Sequence, residues 1–373
     1  MMSRLVPKLR FKEFGGEWKE KKLSMVSNIT TGGSNREDST ENDGEYTFFD
    51  RSEDVRTSAR YLFNDEAIII AGEGQKFTPK YYKGKFDLHQ RTYAILELQI
   101  IGKFLYYYID KCKDYFLQNA VGSTVKSLRL PMFQQMPVLL PILTEQQKIA
   151  SCLSSLDSLI EAQNKKVSAL KQHKKGLMQQ LFPAEGEREP KRRFKAFSGE
   201  WEEKKLGDVA IKKSSNILAN TLVNNKGKYS IYGASGYLQN IDFYNEDDPY
   251  IAIIKDGSGV GRSFLCVEKS SVIGTLQVIK PLNKDNLAFL YLLINKIDFG
   301  KYISGGAIPH IYFKDYSKEI IKIPSPPEQQ KIANTLSTLD NLIEAQNQKI
   351  TQLKQHKKGL MQQLFVSSEV AHE

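Results

Sequence analysis

A chain of 373 residues is too long for one ordinary core and suits two domains with connecting structure. At 40% hydrophobic and 26% charged it belongs with folded and not disordered proteins, and apolar runs such as 67–71 and 136–143 fall far short of the roughly 20 residues that cross a bilayer. A formal net charge of +10 suits a polyanionic partner, although many ordinary soluble proteins are as basic.

The first residues, MMSRLVPKLRFKEF, lack the apolar centre of a secretory signal, and Cys112, Cys152 and Cys266 show neither disulfide nor zinc spacing. A reducing cytosol is expected. The segment FKEFGGEWKEKKL follows at 11–23. Residues 24–144 then carry 14 Lys/Arg against 15 Asp/Glu, with the charge segregated: acids crowd 37–54 (Glu37, Asp38, Glu41, Asp43, Glu45, Asp50, Glu53, Asp54) and bases crowd 76–91. Such a domain can still present a positive face to phosphate. The runs at 67–71 and 93–98 read as strands, and 102–118 as a helix.

From 145 to 182 the residues Ile149, Leu153, Leu156, Ile160, Gln163, Val167, Leu170, Lys174, Leu177 and Leu181 step by four and three, which is a coiled-coil seam. Thr144 with Gln147 matches a capping box, and Phe182-Pro183 ends the helix. FKAFSGEWEEKKL at 194–206 then repeats the opening motif, and 328–365 repeats the long helix as Ile332, Leu336, Leu339, Ile343, Gln346, Ile350, Leu353, Lys357, Leu360 and Leu364. Ser325 with Glu328 repeats the cap spacing, with Pro326 at the first helical position. Both blocks recur at an offset of 183 (194 − 11 and 328 − 145), so a whole half-chain was duplicated.

Between the repeats, 207–323 looks almost unrelated to 24–140; counted over 207–324 it holds 14 Lys/Arg and 11 Asp/Glu. The runs 250–255 and 272–279 read as strands, and 285–299 as a helix. Faint traces persist: Phe104-Leu105-Tyr106 resembles Phe289-Leu290-Tyr291, and 122–128 lies opposite 305–311. Each variable segment is therefore read as one mixed α/β fold with a rewritten surface. A single seam suits a helix on its own core or a coiled coil; two copies favour pairing with each other. Gln163 and Gln346 either fix register within the seam or lie at its wet edge. Trp18 and Trp201 either pack on a partner or anchor the arm to its own domain.

No phosphate loop, zinc pair or nucleophile elbow is present, although paired catalytic carboxylates need no local signature. Gly257-Ser258-Gly259-Val260-Gly261 is either a weak phosphate cradle or a turn with positive φ. Of the five histidines (His89, His173, His310, His356, His372), His173 and His356 occupy matching places on a solvated helix face.

The tandem layout, PILTEQQKIASCL and PSPPEQQKIANTL before the long helices, SIYGASGY at 230–237, GSGVG at 257–261 and GGAIPHI at 305–311 resemble the specificity subunit of type I restriction–modification systems over essentially the full length. The resemblance implies an α/β fold in which two mixed α/β target-recognition domains are separated by two long helices forming an antiparallel coiled coil, pseudo-two-fold through duplication. It divides the chain into a first recognition domain at 1–144, a helix at 145–182, a second recognition domain at 183–327, a helix at 328–365 and a tail at 366–373. It implies that each domain reads one half of a bipartite asymmetric site on double-stranded DNA. It further implies that chemistry belongs to two methyltransferase and two ATP-dependent restriction subunits, which carry S-adenosylmethionine, ATP and Mg2+. This chain would be a non-enzymatic member with no cofactor of its own, and it lacks the methyltransferase's Asn/Asp-Pro-Pro-Tyr/Phe motif.

Candidate DNA contacts in the first domain are Gln75, Lys76, Lys80, Lys83, Lys85, Arg91, Lys126 and Arg129. In the second they are Lys255, Ser258, Arg262, His310 and Lys314. Lys and Arg suit phosphate, and Gln75 and the arginines have bidentate geometry for adenine or guanine. A stand-alone duplicated DNA-binding module such as a repressor, and a nuclease or methyltransferase with a cryptic site, are the competing classes.

Overall fold

The computed structural model describes residues 5–40, 43–222, 227–282 and 286–366. Glu41, residue 285, His372 and the tail from 367 lie outside them. Among the described residues the α-helices are α1 (Gly102–Lys111), α2 (Lys113–Asn119), α3 (Leu130–Gln134), α4 (Leu143–Leu181), α5 (Leu287–Ile294), α6 (Phe313–Tyr316) and α7 (Pro326–Leu364). The chain forms two compact units, Met1–Lys165 with Asn347–Glu373, and Lys166–Gln346. Each unit contains one variable domain, the first part of one long helix and the last part of the other.

In the first unit a mixed seven-stranded sheet runs in the order 28–31, 92–96, 63–71, 80–88, 46–49, 56–58, 39–40. Its pairs are antiparallel except that Tyr46–Phe49 runs parallel to Lys80–Leu88. The central strand is buried through Ala67, Ile68, Ile69 and Ile70, because both faces of the sheet are covered. Ile68 and Ile70 face the helices and pack with Phe104, Leu105 and Trp18; Ala67 and Ile69 face Phe49, Phe86 and Leu88. The region read as one helix at 102–118 breaks at Cys112 into α1 and α2.

In the second unit an antiparallel four-stranded sheet (210–214, 276–281, 250–254, 263–266) accompanies a three-stranded one (236–241, 229–233, 271–272). Two expectations need correction here. The strand read at 272–279 is interrupted at 273–275, where Gly274 N donates to Ile217 O at 2.7 Å. The helix read at 285–299 ends with Ile294; Asn295 caps it, and Phe299 reaches the core from a separate 3-10 turn.

The two units share one device at their base. Lys19–Lys22 pairs antiparallel with Pro137–Leu140, and Glu202–Lys205 pairs with Ile320–Ile323. The arm before each strand inserts its tryptophan into the core: Trp18 packs tilted against Phe104 and edge-to-face against Phe365, and Trp201 edge-to-face against Phe289 and Phe182. The internal role is thus the one each tryptophan plays.

The Glu-Gln-Gln opening of the long helices has a physical explanation. Arg10 donates to both oxygens of Glu145 at 2.8 and 2.7 Å, and Arg193 does the same to Glu328. Arg10 also donates to the Gly15 and Gly16 carbonyls, and Arg193 to that of Gly199. Gln146 donates to Pro141 O and accepts from Ile101 N, just before α1; Gln329 donates to Pro324 O and accepts from Asn286 N, just before α5. One buried carboxylate and one buried amide thereby lock the arm, the helix start and the domain helix together.

The caps follow from this. Ser325 precedes α7 and its carbonyl accepts from Glu328 N and Gln329 N, but the Glu328 carboxylate is taken by Arg193, so the side-chain capping box expected of this pair does not form. In α4 the equivalent residue is Ile142, whose carbonyl accepts from Glu145 N and Gln146 N. Thr144 therefore lies inside the first turn, and the capping box expected of it does not form.

The long helices run antiparallel within each unit. In the first unit, early α4 meets late α7: Lys357 Nζ donates to Asp157 Oδ1 at 2.5 Å, and Ile149 and Leu153 share a core with Met361 and Leu364. In the second, late α4 meets early α7: Lys174 Nζ contacts Asp340 at 2.6 and 2.7 Å, and Leu181 shares a core with Ile332 and Leu336. Ile149, Leu153, Val167, Ile332, Leu336, Ile343 and Ile350 are buried; Leu156, Ile160, Gln163, Leu170, Leu339, Gln346 and Leu353 are half-buried. His173 and His356 are exposed. Gln163 and Gln346 are half-buried, and each holds an enclosed amide oxygen without a hydrogen-bond partner among the described residues.

The seam's two lysines thus have acidic partners, and a charge exchange tests the pairing. Asp157→Lys is expected to destabilise by about 1 kcal/mol, and adding Lys357→Asp to recover most of it. Urea unfolding of the four proteins in the cycle reads the coupling, and zero coupling would refute the contact's role.

Candidate nucleic-acid interface

Both variable domains build the same pair of crossing loops at the end of the central strand. In the first, a closed loop is tied at its neck by Val121 N to Ser127 O (3.0 Å) and Ser127 N to Val121 O (2.7 Å). In the second, Ser304 N to His310 O (2.9 Å) and His310 N to Ser304 O (2.8 Å) tie the same loop, again 183 residues on. Gly122 and Gly305 both take positive φ, 106° and 87°. A Cβ on either would lie 2.3 Å from Val125 O or 2.6 Å from Ile308 O. The faint trace in the sequence is therefore a retained loop frame.

That frame explains a testable asymmetry among glycines. Gly305→Ala combines a left-handed backbone with a clash against a carbonyl and is expected to cost about 2 kcal/mol, whereas Gly306→Ala, in open space with ordinary φ, is expected to cost under about 0.5. Thermal unfolding measured side by side decides it; equal effects would contradict the loop geometry.

Each closed loop rests on the loop leaving the central strand. Lys126 pairs with Gly74, and Gln75 Nε2 donates to Thr124 O at 3.0 Å. Leu128 N and Arg91 O meet at Gly72, at 2.7 and 2.9 Å. The structure thus gathers Gln75, Lys76, Arg91, Lys126 and Arg129 around one crossing. All but Lys126 are exposed, and Arg91 also contacts Glu73 at 3.2 Å.

The other three first-domain candidates lie apart. Lys80 turns to the Ser52 and Glu53 carbonyls at 2.6 and 3.3 Å, and its burial lowers its pKa, so it serves as a brace. Lys83 and Lys85 sit further along the strand, about 10–17 Å from Lys80 at 3.3 Å per residue, with Lys85 over Tyr61 and Tyr46.

In the second domain Gly257 N donates to Pro309 O and Ile311 N to Lys255 O. His310 Nδ1 lies 3.0 Å from Asp256 Oδ1, and Lys255 Nζ contacts the other carboxylate oxygen. Burial raises the Asp256 pKa, but the hydrogen bonds from Lys255 and His310 outweigh it and hold the carboxyl below its usual range. Lys255, Ser258, Arg262 and His310 therefore meet at one crossing. Arg262 also reaches Ala234 O in the turn of the 229–241 hairpin, and Lys314 on α6 lies over Tyr312. Gly257 and Gly261 have positive φ within the connection between two antiparallel strands, which is the turn reading of GSGVG.

Sequence reasoning missed Arg36 and Arg51, which line a recess with Glu73, His89, Gln90 and Arg91 beside the first crossing. They were hidden in the acid-rich stretch. Yet Asp50 is buried, accepting from Ser52 N at 2.7 Å, and Asp38 caps a turn at Asn35. Asp50 is held inside and Asp38 is taken by the turn and by Arg60 at 3.1 Å, while Arg36 and Arg51, which flank these two acids in sequence, stay exposed. Arginines interleaved with turn-capping acids were the signal.

Residues 15–172 and 198–355 each match the family described as the type I restriction modification DNA specificity domain. The type I restriction enzyme EcoDI specificity subunit of Escherichia coli is 31% identical over 156 residues, 42% of this chain; that match spans 35% of the relative's length. The putative MjaX specificity subunit of Methanocaldococcus jannaschii is 31% identical over 320 residues, 76% of this chain and 73% of that one. The crystal structure of a type I S subunit from M. genitalium superimposes with a TM-score of 0.70 at 18% identity, covering 97% and 99% of the two chains, which shows the shared fold. With both halves matched and their crossing loops built alike, the chain belongs to the specificity subunits of type I restriction–modification systems, the non-catalytic components that recognise DNA sequence.

Proposed function

We propose that this subunit reads a bipartite asymmetric site on double-stranded DNA, one half-site per recognition domain, and directs two adenine methyltransferase and two restriction subunits to it. The observation that carries this is the contrast between the near-identical scaffold repeats and the rewritten domains. Identical surfaces suit binding one kind of partner twice; dissimilar domains suit two different sequences. S-adenosylmethionine, ATP and Mg2+ belong to the partner subunits in this reading, which places the assembly in the cytoplasm.

Gln75, Lys76, Arg91, Lys126 and Arg129 are proposed to hold one half-site, with Lys83 and Lys85 as outlying phosphate contacts. Lys255, Ser258, Arg262, His310 and Lys314 are proposed to hold the other. Among the described residues no helix is long and apolar enough to cross a membrane.

The test is a map of methylated adenines in DNA from cells carrying the chain with its cognate methyltransferase. Two fixed half-sites at constant spacing are expected, and their loss when the chain is deleted. A continuous site, or a chain that binds its site while failing to co-purify with the methyltransferase, would favour a stand-alone DNA-binding module instead.

A further inference from the structure

The tips of the two closed loops carry a feature that the charged candidates do not explain. Val125 and Ile308 occupy equivalent positions, 183 residues apart, and expose 50% and 58% of their surface. Around them the side chains were rewritten: Ser123 stands where the second copy has Gly306, Thr124 where it has Ala307, Lys126 where it has Pro309, and Ser127 where it has His310. The frame stayed, the polar groups changed, and a β-branched apolar tip was retained in water. A surface that binds one partner twice keeps its side chains, as the long helices do; a frame whose side chains vary suits a changing target.

We infer that Val125 and Ile308 are DNA-touching tips, each inserted among the bases of its own half-site. This rests on the DNA-recognition reading above. The apolar group that a base edge offers is the thymine C5-methyl in the major groove, and an apolar side chain also fits against a partly opened base step. Two features prepare the tips for that contact. The necks and the blocked left-handed glycines fix the backbone, and β-branching fixes χ1, so little freedom is lost on binding. The flanks are cationic, with Lys76, Lys126 and Arg129 at one crossing and Lys255, Arg262 and Lys314 nearby in the other domain, which suits a polyanion on either side of an apolar tip.

The experiment uses the full chain assembled with its methyltransferase. A photo-crosslinking residue, p-benzoylphenylalanine, replaces Val125 in one preparation and Ile308 in another, and each is irradiated on DNA bearing the mapped site. Crosslinks from 125 are expected within one half-site and crosslinks from 308 within the other. In parallel, Ile308→Ser should weaken binding to the specific site about tenfold, on the scale of one lost base contact, while binding to unrelated DNA and co-purification with the methyltransferase stay unchanged. Crosslinks to the methyltransferase, into the spacer or to nothing would overturn the inference, as would Ile308→Ser binding within about twofold of wild type. A wild-type complex without any sequence preference would overturn the proposed function, and this inference with it.

Discussion

Replacing Arg193 by methionine is expected to destabilise the protein by about 3 kcal/mol or more, the largest effect of any single substitution considered. Glu328 is 1% exposed and receives two charge-assisted hydrogen bonds from Arg193. The substitution leaves a carboxylate enclosed without its counter-ion, and it also frees the Gly199 carbonyl that shapes the arm. Arg10→Met should act alike through Glu145, which is equally buried. The double variant Arg193→Met, Glu328→Met should recover much of the loss, because two apolar groups of similar volume leave no buried charge behind. Urea unfolding followed through Trp201, which the arm carries into the same core, measures both steps. A loss under about 1 kcal/mol would mean that solvent reaches Glu328.

Exchanging residues 24–140 for the equivalent segment of a specificity subunit with a different target should change one methylated half-site completely and leave the other half-site and the spacer as they were. The segment contains the first crossing, with Gln75, Arg91 and Lys126, and it omits the Arg10–Glu145 lock and the long helices. Inserting one heptad into both α4 and α7 should do the reverse, lengthening the spacer while both half-sites persist. The heptad keeps the seam in phase, and each inserted residue adds about 1.5 Å to a helix. Methylated-base mapping reads both experiments. A graft that altered both half-sites, or an insertion that left the spacer fixed, would contradict the division of labour.

The scaffold was legible because its signals are local and occur twice. The step of four and three residues announces a seam, and the identical offset of two separated blocks announces the duplication. The variable domains were less legible for physical reasons that can be named. Ile297 and Phe299 extend an apolar pattern past Asn295, so 285–299 read as one helix; Asp298 instead starts a new turn by accepting from Gly300 N. Thr144 looked like a cap because hydroxyls usually are, yet buried Glu145 and Gln146 are engaged by Arg10, Ile101 N and Pro141 O, and those contacts place the helix start at Ile142. At the candidate interface, Gln75, Lys126 and His310 were chosen for their chemistry; that they meet at crossings depends on backbone pairs dozens of residues apart. Lys80 shows the limit of charge alone, since its ammonium is turned inward to two carbonyls.

The short strand pair at the base of each unit has a consequence for how such proteins change. Lys19–Lys22 and Pro137–Leu140 lie side by side, as do Glu202–Lys205 and Ile320–Ile323, so the chain leaves the scaffold and returns to it at neighbouring points. The free energy of closing a loop grows only with the logarithm of its length, about 0.6 kcal/mol per doubling. Once the base is zipped, the loops of the domain that do not pack on the long helices can lengthen or shorten with little effect on those helices, while the parts that do, such as Phe104 and Tyr107, have to stay. Evolution can then search for new target sequences without having to solve the problem of assembly again.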